Sequence, residues 1–111
     1  MAYDEDLADR IRELLGGDGA ITEKKMFGGL AFLAGGHMAI AVSGQGGLMV
    51  RVDPEETDAL LDRPGVGPMV MRGRPLDGWV RVEAGAVGSR GELEPWVQRG
   101  LRYARSLPPK G

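Results

Sequence analysis

The sequence predicts an α+β domain: a mainly antiparallel sheet of about five to six strands, with helices at the N-terminus, in the middle and at the C-terminus, in two layers. Apolar residues repeat at helical spacing at both ends of the chain and at strand spacing between them. Glycine pairs and clusters separate the strand-like runs, as hairpins require. A length of 111 residues fits a single domain over 1–111.

The elements follow in order. Tyr3, Leu7, Ile11, Leu14 and Leu15 recur at steps of three and four, predicting an amphipathic helix over about 4–15. Asp4, Glu5 and Asp6 occupy its first turn, Gly16-Gly17 ends it, and Asp18-Gly19 reads as a turn. From Ile21 the period becomes two. Leu30, Phe32 and Ala34 alternate with Ala31 and Leu33, and Gly35-Gly36 forms a hairpin turn. Met38, Ile40 and Val42 make the next apolar set, then Leu48, Val50 and Val52, with Met49 and Arg51 opposite. Asp53-Pro54-Glu55-Glu56 opens a helix to about Leu61, with Asp53 as cap and Glu56 in a capping-box position. Strands are expected over Pro68–Arg72 and Trp79–Ala84, linked by 74–78. In the last segment Leu93, Trp96, Val97, Gly100, Leu101 and Ala104 share one helical face. Ser89 suits the cap of a preliminary turn, Pro95 suggests a regular helix beginning near it, and Pro108-Pro109 stops it.

Composition excludes several functions. With no cysteine there is no disulfide, thiolate metal site or cysteine nucleophile. The acidic start MAYDEDLADR is unlike a signal peptide, and no apolar run reaches the roughly 18 residues that span a membrane. A cytoplasmic location without membrane attachment is therefore expected. Net charge is −2, which argues against nucleic acid as the partner of the chain alone. The charge is uneven: residues 1–20 carry a balance of −4 and residues 89–111 a balance of +3.

No catalytic, cofactor or metal constellation emerges. Three glycine patterns beginning at Gly17, Gly44 and Gly65 lack the third glycine of a dinucleotide loop, with Thr22, Met49 and Val70 in its place. His37 is the only histidine and stands at a predicted hairpin, where a solvated imidazole is expected. None of the serines lies in a nucleophile elbow. Asp53, Glu55, Glu56 and Asp58 are explained by helix capping without a metal. Glu83, at a strand end, has no partner acid for glycoside-type chemistry.

Two further features concern surfaces. Arg51, Arg72 and Arg81 punctuate the strands, and Arg99 and Arg102 lie on the last helix; together they are the candidate interaction surface. The six methionines, mostly in strands, read as core filling, with an adaptable partner site as the alternative. In KKMFGG (24–29) no serine or threonine follows the lysines, so no nucleotide loop forms. Met26, Phe27, Gly28 and Gly29 instead read as the corner where the first strand bends into the meander, with Met26 and Phe27 pointing to opposite faces.

MFGG at 26–29, HMAIAV at 37–42, GLMVRVD at 47–53 and ELEPWVQRGLRYA at 92–104 together resemble the N-terminal domain of the TfoX/Sxy competence regulators. The resemblance covers about residues 5–105. It implies an α+β fold with an antiparallel sheet, and a role in transcription through a partner such as a cyclic-AMP receptor transcription factor. It supplies no catalytic residues. The full-length regulators carry a second, helical domain that this chain is expected to lack, so the competence role is not expected to transfer directly.

The expected function is a non-catalytic regulatory or protein-interaction domain with an unidentified protein partner, or a homodimer joined through sheet edges. Direct nucleic-acid binding through the strand and C-terminal arginines is the alternative, and an enzyme of unrecognised type is the third.

Overall fold

The computed structural model describes residues 3–16, 19–26, 28–44, 46–71 and 73–108. Helix α1 spans Glu5–Leu15. Asp4 caps it by accepting from the Leu7 amide at 3.1 Å, and Glu5 and Asp6 face the positive end of the helix dipole. Leu7, Ala8 and Ile11 form its buried stripe.

Six strands follow: β1 Ile21–Met26, β2 Gly29–Ala34, β3 His37–Val42, β4 Leu48–Arg51, β5 Val66–Met71 and β6 Arg74–Val82. Their order in the sheet is β1-β2-β3-β4-β6-β5, and every neighbouring pair is antiparallel. Between β4 and β5 the chain makes a 3-10 turn, Pro54–Glu56, and helix α2, Thr57–Leu61. That excursion carries β5 to the sheet edge, so β6 returns between β5 and β4. A second 3-10 turn, Ala84–Val87, leads to helix α3, Arg90–Ser106. The molecule is thus α+β, with three helices and one antiparallel sheet among the described residues.

The main core joins helices to one sheet face. Leu7, Ile11, Leu60, Leu93, Trp96, Val97 and Leu101 meet Leu30, Phe32, Ile40, Val42, Leu48, Val50, Val80 and Val82. The helical stripe expected on the last segment, from Leu93 to Ala104, is buried throughout.

Strand β3 departs from simple alternation. Phe32 faces Ile40 but Leu33 faces Met38, which leaves Ala39 as an extra residue. This bulge turns Met38 away from Ile40 and Val42, with which it was expected to align. Ala39 is fully buried, and its carbonyl oxygen faces α3 at Gly100. A Cβ at Gly100 would lie 2.4 Å from that oxygen. The glycine in the helix is a condition of close helix–sheet approach.

Other boundaries also differ from the sequence reading. Residues 74–78, expected as a link, belong to β6, which pairs with β5 from Met71↔Arg74 onward. The last β4 partner of β6 is Trp79, so the stretch before it projects as a two-stranded ribbon. Pro75 therefore removes no bond from β4, and alternation alone gives no sign of such a ribbon. The strand ends at Val82 rather than Ala84, and Glu83 stands exposed before the 3-10 turn.

Helix α3 begins at Arg90, five residues before Pro95. Ser89 closes a capping box: its hydroxyl accepts from the Glu92 amide at 3.2 Å, and Glu92 accepts from the Ser89 amide at 3.1 Å. The proline removes a bond to the Gly91 carbonyl, but both residues are exposed and water can serve it. Asp53 caps the 3-10 turn that leads into α2, accepting from the Glu55 amide at 2.9 Å. Glu56 accepts from Arg99 of α3 at 2.6 Å. The expected Asp18 turn and the Pro109 stop lie outside the described residues.

Both edges of the sheet carry features that discourage strand addition. The middle of β1 is exposed and bears Lys24 and Lys25, and β5 contains Pro68. On the helix side of β1, Arg12 of α1 donates to both Glu23 oxygens, at 2.8 and 2.7 Å, and to Asp9 at 2.6 Å. Arg12 holds the Glu23 carboxyl below its ordinary pKa, chiefly through these hydrogen bonds.

Two outcomes follow from these contacts. Helix propensity alone favours Gly100→Ala by about 1 kcal/mol. The Ala39 carbonyl reverses the sign, so the variant is expected to lose about 1–3 kcal/mol in denaturant unfolding. The lowered Glu23 pKa contributes stability above the unfolded-state value that is lost as pH falls through the folded one. Glu23→Gln should cost less than about 1 kcal/mol at pH 7, because the pair is solvent-screened. The gap to wild type should narrow as pH falls through the lowered folded-state pKa, as measured by unfolding at several pH values.

Candidate functional site: the open face of the sheet

The sheet has a second apolar cluster on the face opposite the helices. Ala31, Ala41, Met49 and Met69 are buried there, with Met26, Leu33, Met38, Leu76 and Trp79 half-buried around them. Every one of these residues comes from a strand, whereas the buried apolar helix residues all belong to the main core. Among the described residues no helix covers this face. Met49 and Met69 are buried in this second cluster, in keeping with the core-filling expectation, and Met26 and Met38 lie half-buried beside them on the face away from the helices.

Register explains how they gather. Directly opposed residues of antiparallel strands project to the same side. Lys24↔Ala31, Ala31↔Ala41, Ala41↔Met49 and Met49↔Arg81 therefore form one row across β1, β2, β3, β4 and β6. Its centre is small and apolar, and each end is a cation. Leu33↔Met38 and Arg51↔Trp79 stand beside it as larger side chains. The bulge at Ala39 is what brings Met38 onto this face.

The candidate arginines do not form one patch. Arg51 lies over the rings of Trp79 and Tyr103, 5.6 and 5.7 Å from their centroids. Arg81 donates to the Ser43 hydroxyl at 3.4 Å and the Gly46 carbonyl at 3.3 Å. Both belong to the open face, and neither has a carboxylate partner among the described residues. Arg99 belongs to the helix layer, ion-paired with Glu56 at 2.6 Å and stacked on Trp96 at 5.9 Å. It lines a cleft of about 200 Å³ with Arg102, Tyr103, Asp53 and Glu56. Arg72 lies outside the described residues. Arg51 meets the cleft of Arg99 and Arg102 at Tyr103, whereas Arg81 is held apart from them at Ser43 and Gly46.

At the corner, Met26 faces the open side and pairs with Gly29 across the turn. Gly28 has φ +74, a left-handed backbone that favours glycine. A Cβ on Gly29 would meet the Val42 carbonyl oxygen, so its strand passes close to β3. Phe27 lies outside the described residues, so the expected opposition of Met26 and Phe27 does too.

The residues weighed for chemistry are dispersed. His37 is half-buried rather than free in solvent, and its Nε2 donates to the Pro108 carbonyl at 2.6 Å. This bond ties the chain after α3 to the start of β3. Among the described residues no three of Asp, Glu and His gather to hold a metal ion. A wider cleft of about 530 Å³, lined by Arg63, Glu83, Glu92 and Trp96 among others, opens on the helix side. No described helix is long and apolar enough to cross a membrane.

Helices on one face of an antiparallel sheet, with a methionine-lined second face left open, define an α+β domain built around a free sheet surface. The chain belongs to the TfoX N-terminal domain family, whose model matches residues 13–104. It is a domain of the competence-regulator type. A search of curated proteins gives no match.

The open face is checked by paired substitutions. Met38→Thr, on that face, should cost about 1 kcal/mol or less, because no second layer is packed on it. Ile40→Thr, two residues away in the main core, should cost about 3 kcal/mol. Comparable losses in urea unfolding would mean that both faces are equally covered.

Proposed function

We propose that this chain is a non-catalytic protein-interaction domain that acts in transcriptional regulation by docking a partner protein, in the bacterial cytoplasm. The observation that carries the reading is the apolar cluster made solely of strand residues. Apolar surface on a sheet is stabilised by burial, and a single-layer face achieves it by binding. Methionine suits such a face because its unbranched thioether adapts to different side chains. Family membership supports a regulatory role.

Direct nucleic-acid binding draws less support. It needs a continuous cationic path, and Arg99 is ion-paired with Glu56 while Arg81 is held apart at Ser43 and Gly46. Sheet edges also suit partner addition poorly, given Lys24, Lys25 and Pro68.

Affinity capture from lysate, comparing wild type with Met38→Glu, tests the reading. A specific protein should be retained by wild type and lost in the variant, with circular dichroism unchanged. Arg90→Glu, on the helix side, should retain it. Recovery of the same proteins by wild type and Met38→Glu would refute docking on this face.

A further inference from the structure

We infer that the partner segment is an amphipathic helix whose apolar stripe is bordered on both sides by carboxylates, and that it lies along the central strands of the open face. This rests on the docking reading above and adds the partner's chemistry.

Charge on the face carries the inference. In the regularly paired part of the sheet, the ionisable residues on this side are Lys24, Arg51 and Arg81. All are cations. The one acid of β1, Glu23, pairs with Phe32 in register and turns to the helix side, where Arg12 binds it. Lys24, Arg51 and Arg81 have no carboxylate partner among the described residues. The cations thus border an apolar centre without internal neutralisation, although the chain as a whole is acidic at −2.

Spacing selects the helix. Lys24 on β1 and Arg81 on β6 are four strand intervals apart, roughly 19 Å. A helix with its side chains is about 10–12 Å wide. Lying along β3 and β4, it would place its flanking residues several ångströms inside each cation, within reach of lysine and arginine side chains. The floor beneath it is Ala31, Ala41 and Met49. Ala31 and Ala41 are already covered, so the apolar contact open to the helix is made by the half-buried Leu33, Met38 and Trp79 around them. An added strand would instead need a free edge, and both edges carry features against it.

A second copy of this chain fits less well. Face-to-face pairing would set Lys24, Arg51 and Arg81 against the same three cations. The acidic helix of another copy, α1, exposes Asp6, Asp9 and Glu13 but buries its apolar stripe in its own core.

The test uses two synthetic helical peptides with identical leucine and methionine stripes, one bordered by glutamates and one by lysines. Binding to the full chain is read by fluorescence anisotropy. The glutamate peptide should bind and the lysine peptide should bind at least tenfold more weakly, with the difference shrinking at high salt. The double variant Lys24→Glu/Arg81→Glu should weaken the glutamate peptide by about tenfold and strengthen the lysine peptide. Both effects require a folded protein, so loss of fold cannot imitate the reversal.

Equal binding of the two peptides, or an unchanged ratio in the double variant, would overturn the inference. So would no binding of either peptide. Tight binding of a labelled single-stranded oligonucleotide in place of the peptide would replace it with nucleic acid. A dimer in sedimentation that Met38→Glu dissociates would replace it with self-association. Failure is distinguishable from failure of the docking reading: Met38→Glu reports on docking itself, whereas the charge reversal reports only on what docks.

Discussion

The close seating of α3 on β3 is the constraint from which the rest of the structure follows. At Gly100 the helix meets the carbonyl of Ala39 with no room for a side-chain carbon. Contact at that distance lets Trp96, Val97 and Leu101 reach the strands on either side and close the main core. The Ala39 bulge is the other half of the same contact. It presents the carbonyl to the helix and, by adding one residue, reverses the face of Met38. A single irregularity therefore serves two surfaces: it seats the helix on one side and adds a methionine to the other.

The two faces have opposite characters as a result. On the helix side, the ion pairs Arg12–Glu23 and Arg99–Glu56 join elements that already pack together. On the open side, Lys24, Arg51 and Arg81 stand beside apolar residues with no such partner among the described residues. Arg51 compensates in part by lying over Trp79 and Tyr103, which links the open face to the end of α3. A surface of this kind is stable alone because its floor residues shield one another, yet it retains apolar area for another molecule to cover.

Legibility in the sequence divided along local and non-local lines. The N-terminal helix, the Gly35-Gly36 hairpin, the Asp53 cap and the buried stripe from Leu93 to Ala104 were readable because each depends on residues a few positions apart. The extension of β6 through Pro75 was not. Its pairing with β5 is set by where β4 ends, information held elsewhere in the chain. The start of α3 was misplaced because Pro95 outweighed the Ser89–Glu92 capping box, which is the stronger signal where the affected carbonyl is exposed. The Arg51, Arg72, Arg81, Arg99 and Arg102 grouping was a list by residue type. Sequence distance says nothing of layers, and the two helical members belong to a different one.

By itself the sequence determined the α+β class, the order of elements, the residues of the helix-covered core and the family, through MFGG, the glycine-bounded strands and the closing tryptophan helix. These follow from periodicity, turn chemistry and local motifs. Tertiary structure alone decided which face of the sheet stays open and which charges border it. Alternation divides a strand into two faces but does not say which one a distant helix will cover. That choice was made by Gly100 against Ala39, and it placed the methionines on the face away from the helices.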